Sequence, residues 1–245
     1  MIFRRVCLIL AAFAATAALL SCAAAPPSSQ PGKTADTRLG NQVDLDATYA
    51  RLRASGGRVL ILDPMASAIR IYVFRAGKAA KVGHNHVLSA PQFTGYVFLP
   101  TDGAMAARFD LEFRLDQLEI DNLAYRSALG PAYASLLPPG AIEGTRDHML
   151  GDENMQADQF PLVRVHSVQL AGEFPKIAAK VQVEMHGVTR EILVPLSVEG
   201  LPEHLLVSGA FVLRQTDFGV QPYSVLGGLL AVRDEVVIEF KLVGA

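Results

Sequence analysis

The sequence predicts an all-β protein, an antiparallel up-and-down barrel of about eight or nine strands with one inserted helix. Three observations predict it. Apolar and polar residues alternate one by one along several stretches, which places the apolar side chains on one face of an extended chain. These stretches follow one another through tight turns, without the helices that parallel strands require between them. Hydrophobic residues make up 51% of the 245 residues and charged ones 19%, too apolar a mixture for a disordered chain.

The elements follow in chain order. Arg4 and Arg5 precede an apolar run from Val6 to Leu20, which is shorter than the roughly 20 residues a membrane-spanning helix needs. It has the form of the hydrophobic region of an export signal. Leu19-Leu20-Ser21-Cys22 resembles the bacterial lipobox, so residues 1–21 read as a lipoprotein signal peptide and Cys22 as the first mature, lipidated residue. The alternative is an ordinary signal peptide cut near Ala23 to Ala25, and both readings export the protein. Ala23 after the cysteine resembles lipoproteins sorted to an outer membrane. The expected location is therefore the cell envelope, at the periplasmic face of that membrane.

Residues 22–56 read as a lipidated tether. Pro26, Pro27, Ser28, Ser29, Pro31 and Gly32 lead it, and it buries too little apolar surface to fold alone. Asp44 to Ser55 fits a short helix with Leu45, Tyr49 and Leu52 on one stripe, ended by Gly56-Gly57. Of the two cysteines, Cys7 leaves with the signal and Cys22 is acylated, so the folded part keeps no thiol for a disulfide or a nucleophile.

From residue 57 to 245 the chain reads in strands. Arg58 to Leu62 is an apolar run closed by Asp63-Pro64. Ala68 to Phe74 sets Ile69, Ile71 and Val73 against Arg70, Tyr72 and Phe74. Phe93 to Leu99 follows. Arg108 to Asp116 is the clearest, with Phe109, Leu111, Phe113 and Leu115 facing away from five charged residues. The region from Leu123 to Gln159 breaks the pattern with Gly130-Pro131 and Pro138-Pro139-Gly140, then fits a helix near Ile142 to Met155. Strands resume at Leu162 to Leu170, Ile177 to Met185, Ile192 to Val198, Leu205 to Leu213 and Val236 to Leu242. Phe174-Pro175 and Gly187-Val188 suit hairpin turns. Closing such a meander removes its edges, and the natural architecture is a lipocalin-like barrel.

Four stretches in register are similar to the YceI-like family of bacterial envelope proteins. These are Phe93-Thr94-Gly95-Tyr96-Val97; Arg146-Asp147-His148-Met149 with Phe160-Pro161-Leu162-Val163-Arg164-Val165; Val183-Glu184-Met185-His186-Gly187-Val188-Thr189-Arg190; and Thr216-Asp217-Phe218-Gly219-Val220. The resemblance runs from about residue 57 to 243. It implies an extended lipocalin-like barrel whose lumen holds a long isoprenoid, such as a polyprenyl chain or a quinone tail. Two stretches depart from the family pattern: Gly83-His84-Asn85-His86-Val87-Leu88, with its paired histidines, and a long segment from Leu123 to Glu143.

The inward faces offer the ligand-binding candidates Phe93, Val97, Phe109, Leu111, Phe113, Val163, Val165, Val181, Val183, Phe211, Ile238 and Phe240. No acid or base stands among them. An eight-stranded barrel is just wide enough for side chains or one slim ligand, so these residues either line a lumen or fill a solid core. Gly95 and Gly209 fit a lumen, and fit sheet bending equally.

His84 and His86 are the candidate metal ligands. At i and i+2 they share one side of an extended chain, and two neutral imidazoles so placed can reach one ion. A third ligand would have to come from afar, from His148 or a carboxylate such as Asp147. The other reading is a loop held by imidazole hydrogen bonds to backbone, with no metal. Arg146 and Asp147 are each expected to pair with a loop, His186 and His204 to lie on hairpin surfaces, and His166 on an outward face. No cofactor is required.

The sequence shows no GxSxG, no HExxH and no phosphate-cradling glycine loop, so an enzyme is not expected. A net charge of −2 gives no broad footprint for nucleic acid. The leading expectation is a membrane-tethered envelope protein that binds an isoprenoid-type lipid. The alternatives are a metal- or haem-linked protein built on His84 and His86, and a structural lipoprotein that binds a protein partner.

Overall fold

The computed structural model describes residues 44–245 apart from Pro202. The export signal, the lipidation site Cys22 and the tether before Asp44 lie outside the described residues. The first element is helix α1 (Leu45–Ala54), where the sequence places one. Asp44 caps it by accepting from the Ala47 N–H at 2.9 Å.

Twelve strands follow in one antiparallel sheet: β1 (Arg58–Ile61), β2 (Ala68–Ala76), β3 (His86–Ser89), β4 (Thr94–Leu99), β5 (Arg108–Arg114), β6 (Glu119–Ile120), β7 (Leu162–Glu173), β8 (Lys176–Met185), β9 (Val188–Glu199), β10 (Leu205–Arg214), β11 (Ser224–Val225) and β12 (Leu230–Gly244). The larger count than expected has a local cause. β1 with β2, β3 with β4, and β5 with β6 are three long strands, each broken once. Pro64 and Pro91, which have no N–H to give a ladder, stand in the first two breaks, and a helical turn at Leu115–Gln117 makes the third. The ladder resumes across the breaks, with Leu62 donating to the Gly95 carbonyl at 2.9 Å and Ala90 to that of Ile69 at 3.2 Å. β11 is a two-residue spur on β12.

The sheet curls until its first strand meets its last. Ile61 N–H donates to Ala245 O at 2.9 Å and Asp63 N–H to Val243 O at 2.8 Å, while β12 pairs on its flanks with β10 and β2. The result is the up-and-down barrel that the alternation predicts. One expected turn is present at Phe174-Pro175, between β7 and β8; the other falls one residue earlier than the expected Gly187-Val188, at His186-Gly187, because Val188 already opens β9. In the second, both residues have positive φ, 53° and 71°, which matches the twist of a two-residue hairpin.

One inserted helix is too few. The segment between β6 and β7 holds α2 (Leu123–Ala128), capped by Asn122, and α3 (Pro139–Leu150). The second starts earlier than expected because Pro139, read as a breaker, occupies the first helical turn, where a missing N–H costs nothing. The α2 region lies on the outer wall: Tyr133 packs with Tyr72 and Val87, and Tyr125 and Leu129 join them. Helix α3 instead crosses one end of the barrel. Its Arg146 donates to the carbonyls of Asp116 at 3.1 Å and Leu118 at 2.7 Å, the loop pairing expected of it.

Helix α1 is fastened to the wall at β1 and β4 through Tyr49. Its ring stacks on Tyr96 with centroids 4.8 Å apart, and its buried hydroxyl donates to Asp110 Oδ2 at 2.7 Å. His166 Nδ1 meets the other oxygen of Asp110 at 2.6 Å, so this histidine does face outward. Burial and the Asp110 carboxylate push the Tyr49 phenol far above its ordinary range.

Candidate functional site: an apolar cavity with one polar end

The two-residue period that builds each strand also decides what stands inside the barrel. In β5, Phe109, Leu111 and Phe113 turn inward; in β8, Ile177, Val181 and Val183 do the same. These side chains do not meet in the middle. They surround a cavity of about 580 Å³, so the interior is a lumen and not a solid core. Every ligand-binding candidate from the sequence lines it except Phe93, which precedes β4 and packs against the core instead.

The lining differs between its ends. Leu99, Ala104, Phe174 and Leu201 mark the end away from α3, and all are apolar. The polar lining residues gather at the α3 end: His86, Thr145, His148, Asn154, Gln215 and Tyr223. His148 and Tyr223 pack ring against ring, centroids 5.0 Å apart.

His86 is the one with a built support. It opens β3, two residues before the inward-facing Leu88. Asp121 follows β6 with φ of 55°, and its backbone N–H donates to Val87 O at 2.8 Å. Its carboxylate takes the place of the next strand. Oδ1 accepts from the Val87 N–H at 3.0 Å and from Arg126 Nη1 at 2.6 Å, and Oδ2 lies 2.6 Å from His86 Nδ1. The Asp121 and Arg126 side chains are 0% and 4% exposed. Burial alone would raise the Asp121 carboxyl, but His86, the Val87 N–H and Arg126 outweigh it and hold it below the usual carboxylate range. Arg126 also donates to Asn85 O at 2.7 Å and to Ser135 Oγ at 3.0 Å, which ties β3, α2 and the following loop together.

A family model described as the YceI-like domain matches residues 62–244. The chain belongs to that family. Two solved structures resemble it in fold. Burkholderia cenocepacia BcnA superposes with a TM-score of 0.53 at 16% identity, covering 75% of this chain and 99% of its own. A polyisoprenoid-binding domain from Saccharophagus degradans, implicated in plant cell wall breakdown, does so with 0.51 at 16% identity, covering 76% and 97%. A search of the curated proteins finds no match.

Three of the four motifs that resembled the family build the YceI-like domain's α3 end. Phe160-Pro161 leads into β7, and Pro161 O accepts from the Leu115 N–H at 2.9 Å. Thr216 to Val220 forms a turn whose Phe218 and Val220 are fully buried, with Gly219 at φ of 75°. His186 is not the surface residue expected from its hairpin. Its Nδ1 lies 3.0 Å from Phe218 O, and its ring packs on Phe160. His204 is exposed, as expected.

The paired histidines of this YceI-like domain do not converge. His86 is engaged by Asp121, whereas exposed His84 sits in the loop before β3 with Nδ1 3.1 Å from Ser135 Oγ. Among the described residues, no group of three or more His, Cys, Asp or Glu side chains can hold a metal ion. Nor are Gly95 and Gly209 reserved for lumen space. A Cβ at Gly95 would lie 2.7 Å from Leu62 Cδ1, and one at Gly209 would lie 2.6 Å from Pro195 O. Both glycines mark close approaches of the wall to itself.

Proposed function

We propose that this YceI-like domain is a binding module for a long apolar ligand of the isoprenoid class, with the tail in the barrel lumen, and that it carries out no catalysis. The observation that carries this reading is the hollow, apolar interior. Burial releases roughly 0.8 kcal/mol per CH₂, so each five-carbon unit contributes on the order of 3–4 kcal/mol before ordering losses. A few such units give useful affinity without a hydrogen-bond code along the tail. The similarity in fold to a domain described as polyisoprenoid-binding supports the same ligand class. The remainder of the proposal rests on the sequence. Cys22 carries a lipid, and residues 23–43 tether the domain at the periplasmic face of the outer membrane, where it stores or carries its ligand.

Native mass spectrometry of the purified full-length protein, followed by organic extraction, tests the ligand. An apolar chain of several isoprene units is the expected adduct. A protein that yields no apolar ligand, and takes none up when offered, overturns the proposal. Membrane fractionation of a Cys22→Ser variant tests the tether, since the variant should leave the membrane fraction.

A further inference from the structure

We infer that His86 is the polar anchor of this ligand, its Nε2 accepting a hydrogen bond from a hydroxyl at the head of the chain. The guest is then a lipid with an O–H head, a prenol or a prenylated phenol, and its tail runs toward the end lined by Leu99, Phe174 and Leu201. The inference deepens the proposed function and rests on it.

The tautomer follows from the surroundings. A neutral imidazole carries one N–H. The carboxylate 2.6 Å from Nδ1 can only accept, so Nδ1 holds the proton. Nε2 is left with a bare lone pair on a residue that lines the lumen. No donor reaches it among the described residues.

An unpaired acceptor in an apolar cavity selects for a donor. A quinone carbonyl or an ether has none to offer. An anionic head such as a phosphate needs a cation, and the Arg126 contacts with Asn85, Asp121 and Ser135 already use both of its terminal nitrogens. A hydroxyl fits. The other polar lining residues stand at the same end, so an amphiphile with one small head is held in one direction only.

The test is competition between geranylgeraniol and its methyl ether, which differ in that one proton and a methyl group. The delipidated full-length protein is offered both, and the retained ratio is read by mass spectrometry after extraction. The wild-type protein is expected to retain the alcohol on the order of tenfold over the ether. In His86→Phe, which leaves the Asp121–Arg126 pair in place, the ratio should fall to near one with the ether still bound. Retention of both by the wild type at a ratio near one overturns the His86 assignment and leaves the lipid proposal standing. Retention of neither overturns the lipid proposal itself. Should His86→Phe not fold, the imidazole ¹⁵N spectrum of the wild type decides. A proton on Nδ1 and a shift of Nε2 with the alcohol alone support the anchor, and a proton on Nε2 overturns it.

Discussion

Replacing Asp121 by Ala removes one carboxylate and leaves its three partners in place. Arg126, 4% exposed, keeps its charge and its contacts with Asn85 O and Ser135, but loses its ion-pair partner. The Val87 N–H and His86 Nδ1 each lose an acceptor. Breaking a buried pair from one side costs about 3–5 kcal/mol, and the carbonyls that still solvate Arg126 place this case toward the lower figure. For a domain of this size, about 3 kcal/mol corresponds to a fall in Tm of roughly 6–12 °C, read by circular dichroism and checked by urea unfolding. The double variant Asp121→Ala/Arg126→Met removes the stranded charge and should recover most of the loss. The sign with pH is also fixed. The Asp121 carboxyl is held below its ordinary value, so its contribution is complete above the unfolded pKa and fades as pH falls through the lower folded one. The gap between wild type and Asp121→Ala should thus narrow in acid. A single variant costing less than about 1 kcal/mol, or a double variant no more stable than the single, would refute the reading of this pair as an interdependent buried unit.

Other perturbations probe the lumen, the wall and the helix docked on it. Val165→Phe projects a ring into open space, so it should reduce retained lipid at least tenfold with little change in Tm; a solid interior would instead answer with about 1–3 kcal/mol of overpacking. Gly209→Ala drives a methyl against a backbone oxygen at 2.6 Å, whereas Gly95→Ala meets a rotatable leucine methyl. The first should lower the urea midpoint clearly more than the second, and equal midpoints would contradict this. The Tyr96 phenol is pushed up to about 12, first by its hydrogen bond to Asp46 and then by burial. A raised folded pKa means the contribution is intact below the unfolded value and is lost as pH climbs toward the folded one. Between about pH 10 and 12, melting temperature should fall less steeply in Tyr96→Phe than in the wild type, and identical slopes would count against the assignment.

The parts of this molecule that repeat with a local period were legible in its sequence. Arg108 to Asp116 announces an inward and an outward face because charge and grease alternate without a lapse. β8 and β9 are legible because a glycine between two such runs can only be a turn. β3 was not legible: four residues are too few for a period, and its histidine looked like half of a metal site. β6 is shorter still. The lumen lining could be named because parity along a strand carries it, but whether that lining met in the middle could not. That depends on how many strands close the ring and how they tilt, which no single strand encodes. The Asp121–Arg126–His86 cluster was missed for a related reason. Its members come from separate elements and share no spacing. Asp121 stands directly before Asn122, the residue that caps α2. Phe93 stands one residue before β4 and packs against the core beside the cavity.

The wall is not sewn evenly all the way round. β9 and β10 pair only from Glu199 opposite Leu206 to Leu196 opposite Gly209, and then part. The next pair would fall on Pro195, whose nitrogen has no hydrogen to give. Beyond it, two stretches of strand present rims that another chain could zip onto. The residues along them discourage such company. Arg190, Glu191 and Arg214 stand exposed beside the gap, with Pro195 at its apex. Exchanging these four residues for threonine and valine would remove a net charge of +1, break the Lys180–Glu191 and Arg214–Glu235 ion pairs, and leave rims on which another chain could add a strand.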